Sequence, residues 1–285
     1  MFGRRHETGK FSTELIHKES RNSGRKFSPP RHSIFRLDKW SDTQLVELDR
    51  ELAGLDFFAD YKLAMRGEMG CQDGIVRYLR QHSERYLNLM SDDTGNNNKS
   101  VTEFVVTAAM VSHLVPSGWF YQNQLRCARP MVELYLPVAD VQQQILMPAL
   151  VQRADATVEK ERKKFTPFNV LESLMLPALG NAAKKFAYGQ ESVDLACVAI
   201  ALERYQLAHG EYPESLDALA PPFIAKLPHD IINGQPLHYR READGRFVLY
   251  SVGWNETDDG GRVAFKKDGS EDREKGDWVW QYPLK

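Results

Sequence analysis

Asn255, Asp258 and Asp259 place three candidate oxygen ligands within five residues near the C-terminal end, followed at once by Gly260-Gly261. Calcium takes roughly six to eight oxygens at about 2.4 Å, drawn from carboxylates, amide oxygens and backbone carbonyls. Glycines in tandem let the backbone wrap tightly enough to bring carbonyls to the same centre. Asp277 precedes the last apolar stretch and is placed to return as a fourth ligand. The expected metal set is therefore Asn255, Asp258, Asp259 and Asp277, with Ca2+ as the cofactor. The spacing is not that of an EF-hand, whose acids alternate. The same residues also suit a solvated turn that closes a hairpin.

Other reactive side chains form no recognisable machinery. His229-Asp230 and His238 with Glu242 lack a neighbouring nucleophile, and no GxxxxGK[ST] or HExxH occurs. Cys71, Cys127 and Cys197 are odd in number and lack a CxxC pairing, which argues against a disulfide framework and a zinc site. His113 stands beside Pro116 with no partner in an acid-base pattern. No catalytic residue is expected, and the chain reads as a non-enzyme. The cluster Trp119-Phe120-Tyr121 opens a helix, where aromatics ordinarily serve the core; lining a small-ligand pocket is the alternative use.

Composition narrows the partners. A net charge of −2 hides an asymmetry, because residues 1–36 hold nine Lys or Arg against three Glu. Such an arm can touch nucleic acid or anionic lipid. Its low apolar content reads instead as a solvated tail, so nucleic acid is not favoured and protein partners are. No stretch reaches the ~18 apolar residues of a transmembrane helix. Met1-Phe2-Gly3-Arg4-Arg5 leads into polar sequence rather than a signal peptide. The expected compartment stays open: extracytoplasmic and membrane-associated if an anchor precedes Met1, cytoplasmic otherwise.

These residues need elements to hold them. Ser41 with Gln44 forms a capping-box pattern ahead of Leu45, Leu48, Leu52 and Leu55, whose spacing predicts an amphipathic helix. That helix is expected to end near residues 54–56 or to continue toward Met65. Gly67 and Gly70 are expected to break the chain before a second helix over 75–90. Residues 91–100 read as a polar loop and 102–115 as an apolar segment. A helix is expected from Trp119 toward Tyr135, and another over 138–158 around Pro148. The charged stretch 159–164 and Thr166-Pro167 mark the expected boundary between separable domains.

Beyond it, residues 169–208 read as one long helix, with Val193, Ala196, Cys197, Ile200, Ala201, Arg204 and Leu207 on one face. Gly210 ends it, Tyr212-Pro213 turns the chain, and 215–219 make a short helix before Pro221-Pro222. Residues 236–240 and 246–251 are the expected hairpin strands, and Trp278-Val279-Trp280 a third strand.

This order carries a resemblance. Leu202-Glu203-Arg204-Tyr205 precedes the 210–213 turn, Leu227-Pro228-His229-Asp230 precedes the loop Asn233-Gly234-Gln235-Pro236, and Tyr250-Ser251-Val252-Gly253 precedes the acidic loop. Residues 168–285 thereby resemble the major pseudopilins of type II secretion. The resemblance implies a long helix packed on a small antiparallel sheet, with calcium in the loop after the tyrosine-serine strand. It departs from that family at its start. Pro167 stands where the processing site expects glycine, the run after Phe168 turns polar at Asn181, and some 167 residues precede it.

The expected fold class is α+β: a basic arm over 1–36, a helical bundle over 37–160, and a pseudopilin-like module over 168–285. The expected function is structural or interactive, associated with a secretion- or pilus-type assembly. The alternative is a small-ligand-binding or sensor protein that uses the helical domain.

Overall fold

The computed structural model describes residues 40–82, 117–164, 169–176, 179–243 and 245–282. The basic arm 1–36, the polar loop 91–100, the apolar segment 102–115 with His113, and Thr166-Pro167 lie outside the described residues.

Helix α1 spans Asp42–Leu52, and its start is fixed by the predicted cap: Gln44 donates its backbone N–H to Ser41 Oγ at 3.4 Å, while Ser41 N–H donates to Gln44 Oε1 at 3.0 Å. Leu45 is fully buried, and Leu48 and Leu52 pack beside it against the core. The helix stops at Leu52, because Asp56 caps a new helix, α2, over Phe57–Gln81. Gly67 and Gly70 therefore do not break the chain; both lie inside α2. Each glycine costs a helix about 1 kcal/mol relative to alanine. That loss is outweighed by the buried face of Phe58, Tyr61, Met65, Val76 and Leu79.

Helix α3, Ser117–Pro130, packs against α2 and runs through a π-helical turn, Met131–Tyr135, into a 3-10 turn, Leu136–Val138. The helix expected over 138–158 is instead a two-stranded ladder followed by a shorter helix. Strand β1 is Ala139–Asp140, β2 is Ile145–Leu146, and α4 is Pro148–Lys163. The competing local chemistry is visible: Asp140 Oδ1 accepts the N–H groups of Gln142 at 2.9 Å and Gln143 at 3.0 Å, and Gln144 takes φ 53°. Pro148 then begins α4, where its missing N–H is harmless.

The long helix is shorter than expected. Val170–Met175 forms a separate turn, α5, and α6 runs from Leu179 to His209. Gly180 opens it because the Asp155 carboxylate fills the space a Cβ would need. Asp155 also accepts the Tyr135 hydroxyl at 2.9 Å, and Tyr61 donates its hydroxyl to the Tyr135 carbonyl at 2.8 Å, so α2, α4 and α6 are tied at one place. Helix α6 has no single apolar face. Leu195, Val198, Ala199, Ile200, Ala201 and Leu202 are all buried, whereas Leu207, expected inside, is 54% exposed. It is covered by α1 on one side and the sheet on another.

That sheet is antiparallel in the order β3-β4-β7, with β3 His238–Arg241, β4 Phe247–Ser251 and β7 Trp278–Tyr282. Tyr250 lies opposite His238 on one side and Val279 on the other. Between β4 and β7 the chain makes a second, two-stranded hairpin, β5 Val263–Phe265 and β6 Glu271–Gly276. The polar sequence of β6 gave no periodic signal for it.

The predicted division near 159–167 meets a correction. Residues 159–163 are the last turn of α4 rather than a connector. One buried cluster joins Tyr61, Met65, Tyr135 and Val151 to Ala183, Ile231, Val252 and Trp278, and another joins Leu45 to Ile200, Phe247 and Leu249. The helical and α+β parts share these cores, and Leu37–Pro283 is one unit. Among the described residues no helix is long and apolar enough to cross a membrane.

Candidate functional site

The acidic loop follows β4 and is anchored from the far end of the β5–β6 hairpin. Gly253 and Gly276 both adopt φ 70°, and a Cβ on Gly253 would lie 2.6 Å from the Gly276 carbonyl, so the two backbones touch. That contact delivers Asp277 beneath the loop, 1% exposed. Its Oδ1 accepts the Asp259 N–H at 3.1 Å; its Oδ2 accepts those of Gly261 at 2.6 Å and Arg262 at 3.1 Å. The Asp277 N–H in turn donates to the Arg262 carbonyl at 2.9 Å.

The outer acids are arranged differently. Asp258 Oδ1 accepts the Tyr250 hydroxyl at 3.1 Å and the Gly260 N–H at 2.8 Å. The Gly260 amide, helped by Tyr250, holds the Asp258 carboxyl below the usual aspartate range, so it is anionic. Asp258 Oδ2 is 3.7 Å from His238 Nδ1, and His238 stacks on Tyr250 with centroids 4.8 Å apart. Asn255 donates its side-chain N–H to Asp259 Oδ2 at 2.9 Å, and Arg240 donates to the Gly260 carbonyl at 3.0 Å.

All four predicted ligands thus meet at one loop, but in two roles. Asp277 faces three amide donors, whose positive ends would repel a cation, so it fits a pin and not a ligand. Asn255, Asp258 and Asp259 lie on the outer side, where a cation would replace the Asn255–Asp259 hydrogen bond and compete with Tyr250 and Gly260 for Asp258. Among the described residues no three His, Cys, Asp or Glu side chains are gathered as a metal site. A cation here would draw its remaining oxygens from the Asn255 amide and backbone carbonyls.

The other candidates do not converge. His229 Nε2 lies 3.2 Å from the Gln144 carbonyl, while Asp230 turns inward to accept the N–H groups of Ile232 and Val252. Glu242 pairs with Arg240, not His238. Cys127 and Cys197 are free thiols that burial pushes up to about 12, far from a reactive thiolate. Phe120 is buried edge-on to Trp119, while Tyr121 is exposed and accepts from Arg80. One helical turn further on, a cleft of about 290 Å³ opens between α2 and α3, beside Met69, Gln72, Asp73, Gln124 and Cys127. Asp73 there already pairs with Arg77 and accepts from Gln124.

Sequence reading missed Glu191, a carboxyl with no exposure in the middle of α6. Its only signal was an acid set in a run of small and apolar residues. Comparison of the chain with protein-family models, curated proteins and solved structures returned no match.

Proposed function

We propose that this chain is a non-catalytic structural or interaction protein whose residues 168–285 act as a pseudopilin-like module in a secretion- or pilus-type assembly. The observation that carries the reading is the arrangement of helix α6 along the β3-β4-β7 sheet, with the acidic loop issuing from β4 and pinned by Asp277. The order Tyr250-Ser251-Val252-Gly253 and then the acidic loop is the part of that arrangement the resemblance depends on. Calcium belongs to the same proposal, taken by Asn255, Asp258 and Asp259 on the outer side. Asp258 supplies the anionic oxygen such a site requires.

The partner would be a protein of the assembly, reached through the sheet and loop. The test is pairwise association of the purified full chain with the pilin-like subunits of its own source, with and without calcium. Association lost on Asp258→Ala supports the reading. No association with any subunit, together with turnover of a general hydrolase or transferase substrate panel, contradicts it. The cleft between α2 and α3 favours a second reading, small-ligand binding by the helical part. Its support is weaker, because Asp73, the acid on the cleft wall, already pairs with Arg77 and accepts from Gln124.

A further inference from the structure

Helix α6 carries Glu191 into the molecule's interior, where it has no exposed surface. Its Oε2 accepts the Ile231 N–H at 3.1 Å, and its Oε1 has no hydrogen-bond partner. Asp230, equally buried, stands on the same loop and fixes it from within: Oδ1 accepts the Ile232 N–H at 2.8 Å, Oδ2 the Val252 N–H at 2.9 Å. Loop 227–237 is also a junction. The Ile231 carbonyl accepts the Leu146 N–H at 2.8 Å, so β2, the end of β4 and α6 all meet at residues 230–232.

The electrostatics around Glu191 are one-sided. The charged groups that act on it are Asp230 from the loop and Asp194 from its own helix; among the described residues no cation opposes them. On the side of α2, the neighbouring Gln190 accepts the Phe57 N–H, a neutral contact. Burial first, then Asp230 and Asp194, push the Glu191 carboxyl well above the usual glutamate range, and only the Ile231 N–H works the other way. A neutral carboxyl leaves one oxygen unpaired; an ionised one would be a buried charge with two acids for neighbours.

We propose that Glu191 is a protonation latch: its neutral carboxyl holds loop 227–237 against helix α6, and loss of its proton to solvent releases the loop while the rest of the fold stays closed.

Amide hydrogen exchange on the full chain, followed by NMR from about pH 5 to about pH 8, reads this directly. Corrected for intrinsic exchange, Ile231 protection falls about tenfold per pH unit until the folded-state value of Glu191 is passed. Amides between β4 and β7 stay protected well above Ile231 across this range, because release of the loop leaves the sheet closed. In Glu191→Gln the side-chain carbonyl still accepts from Ile231, so protection there becomes independent of pH. Asp194→Asn retains the fall. Protection of Ile231 that is independent of pH in the wild type, or a fall that persists in Glu191→Gln, overturns the proposal. Should Glu191→Gln fail to fold, the carbon-13 titration of the Glu191 carboxyl in the wild type decides: a midpoint raised out of the ordinary glutamate range is expected, and one within that range overturns it.

Discussion

Loops 253–262 and 227–237 are each built around a buried aspartate, and they dispose of negative charge in different ways. Around Asp277 three amide N–H groups satisfy the carboxylate, and the remaining acids, Asp258 and Asp259, sit on the outer side. Around Asp230 two amides satisfy the carboxylate, but a second acid, Glu191, is enclosed with it and one of its oxygens has no partner. Excess charge at the surface can be met by a cation from solvent. Enclosed charge can be met only by a proton. The contrast makes one loop a candidate for metal and the other a candidate for control by pH.

Removing the pin should break the surface loop most severely. Asp277→Ala orphans three amide donors, and at about 1 kcal/mol or more for each the loss is roughly 3 kcal/mol. Urea unfolding measures it; a loss under about 1 kcal/mol would mean that water replaces the carboxylate and that Asp277 pins nothing. Asp230→Ala should cost less, since it orphans two amides and also relieves Glu191 of a like charge.

Glu191→Gln should act in the opposite direction and depend on pH. A carboxyl raised in the folded state stabilises fully below its unfolded value and progressively less as pH rises toward its folded value. The variant is therefore expected to gain about 1–2 kcal/mol at neutral pH and nothing near pH 4. Parallel unfolding curves at both pH values check this, and equal effects at the two would contradict it.

A smaller effect belongs to Asp194, which burial pushes up to about 6, with Gln190 opposing. By the same sign, its contribution is present below about pH 4 and is lost as pH rises to about 6. Asp194→Asn should reduce the slope of the wild-type melting profile across that window only, leaving the part that belongs to Glu191. A slope unchanged in the variant would assign the dependence to Glu191 alone.

Much of this contrast was legible in the sequence and part of it was not. The capping box at Ser41, the β3–β4 hairpin and the strand at Trp278–Tyr282 follow from local patterns that tertiary packing reinforces. Gly67 and Gly70 misled because the buried face of α2 outweighs two glycines. The face expected on α6 failed at Leu207 because a helix packed from several sides has no single period to read. The four acidic-loop residues were correctly brought to one place, but the separation of Asp277 from the others was not readable. Which oxygens face amides depends on the contact between Gly253 and Gly276, and those residues are 23 positions apart. Glu191 was invisible for a related reason: its burial is imposed by loop 227–237, distant in the chain.

The most direct test of the outer acids is the melting temperature as a function of calcium, measured on protein first stripped with chelator. Binding to the folded state alone raises the midpoint with ligand concentration, by about 2.7 kcal/mol of stability at one hundred times the dissociation constant. A rise with calcium that magnesium reproduces poorly, abolished in Asp258→Ala and Asp259→Ala, is the expected result. A midpoint that calcium leaves unmoved in the stripped wild type would contradict it, leaving loop 253–262 a hairpin turn closed by Asp277.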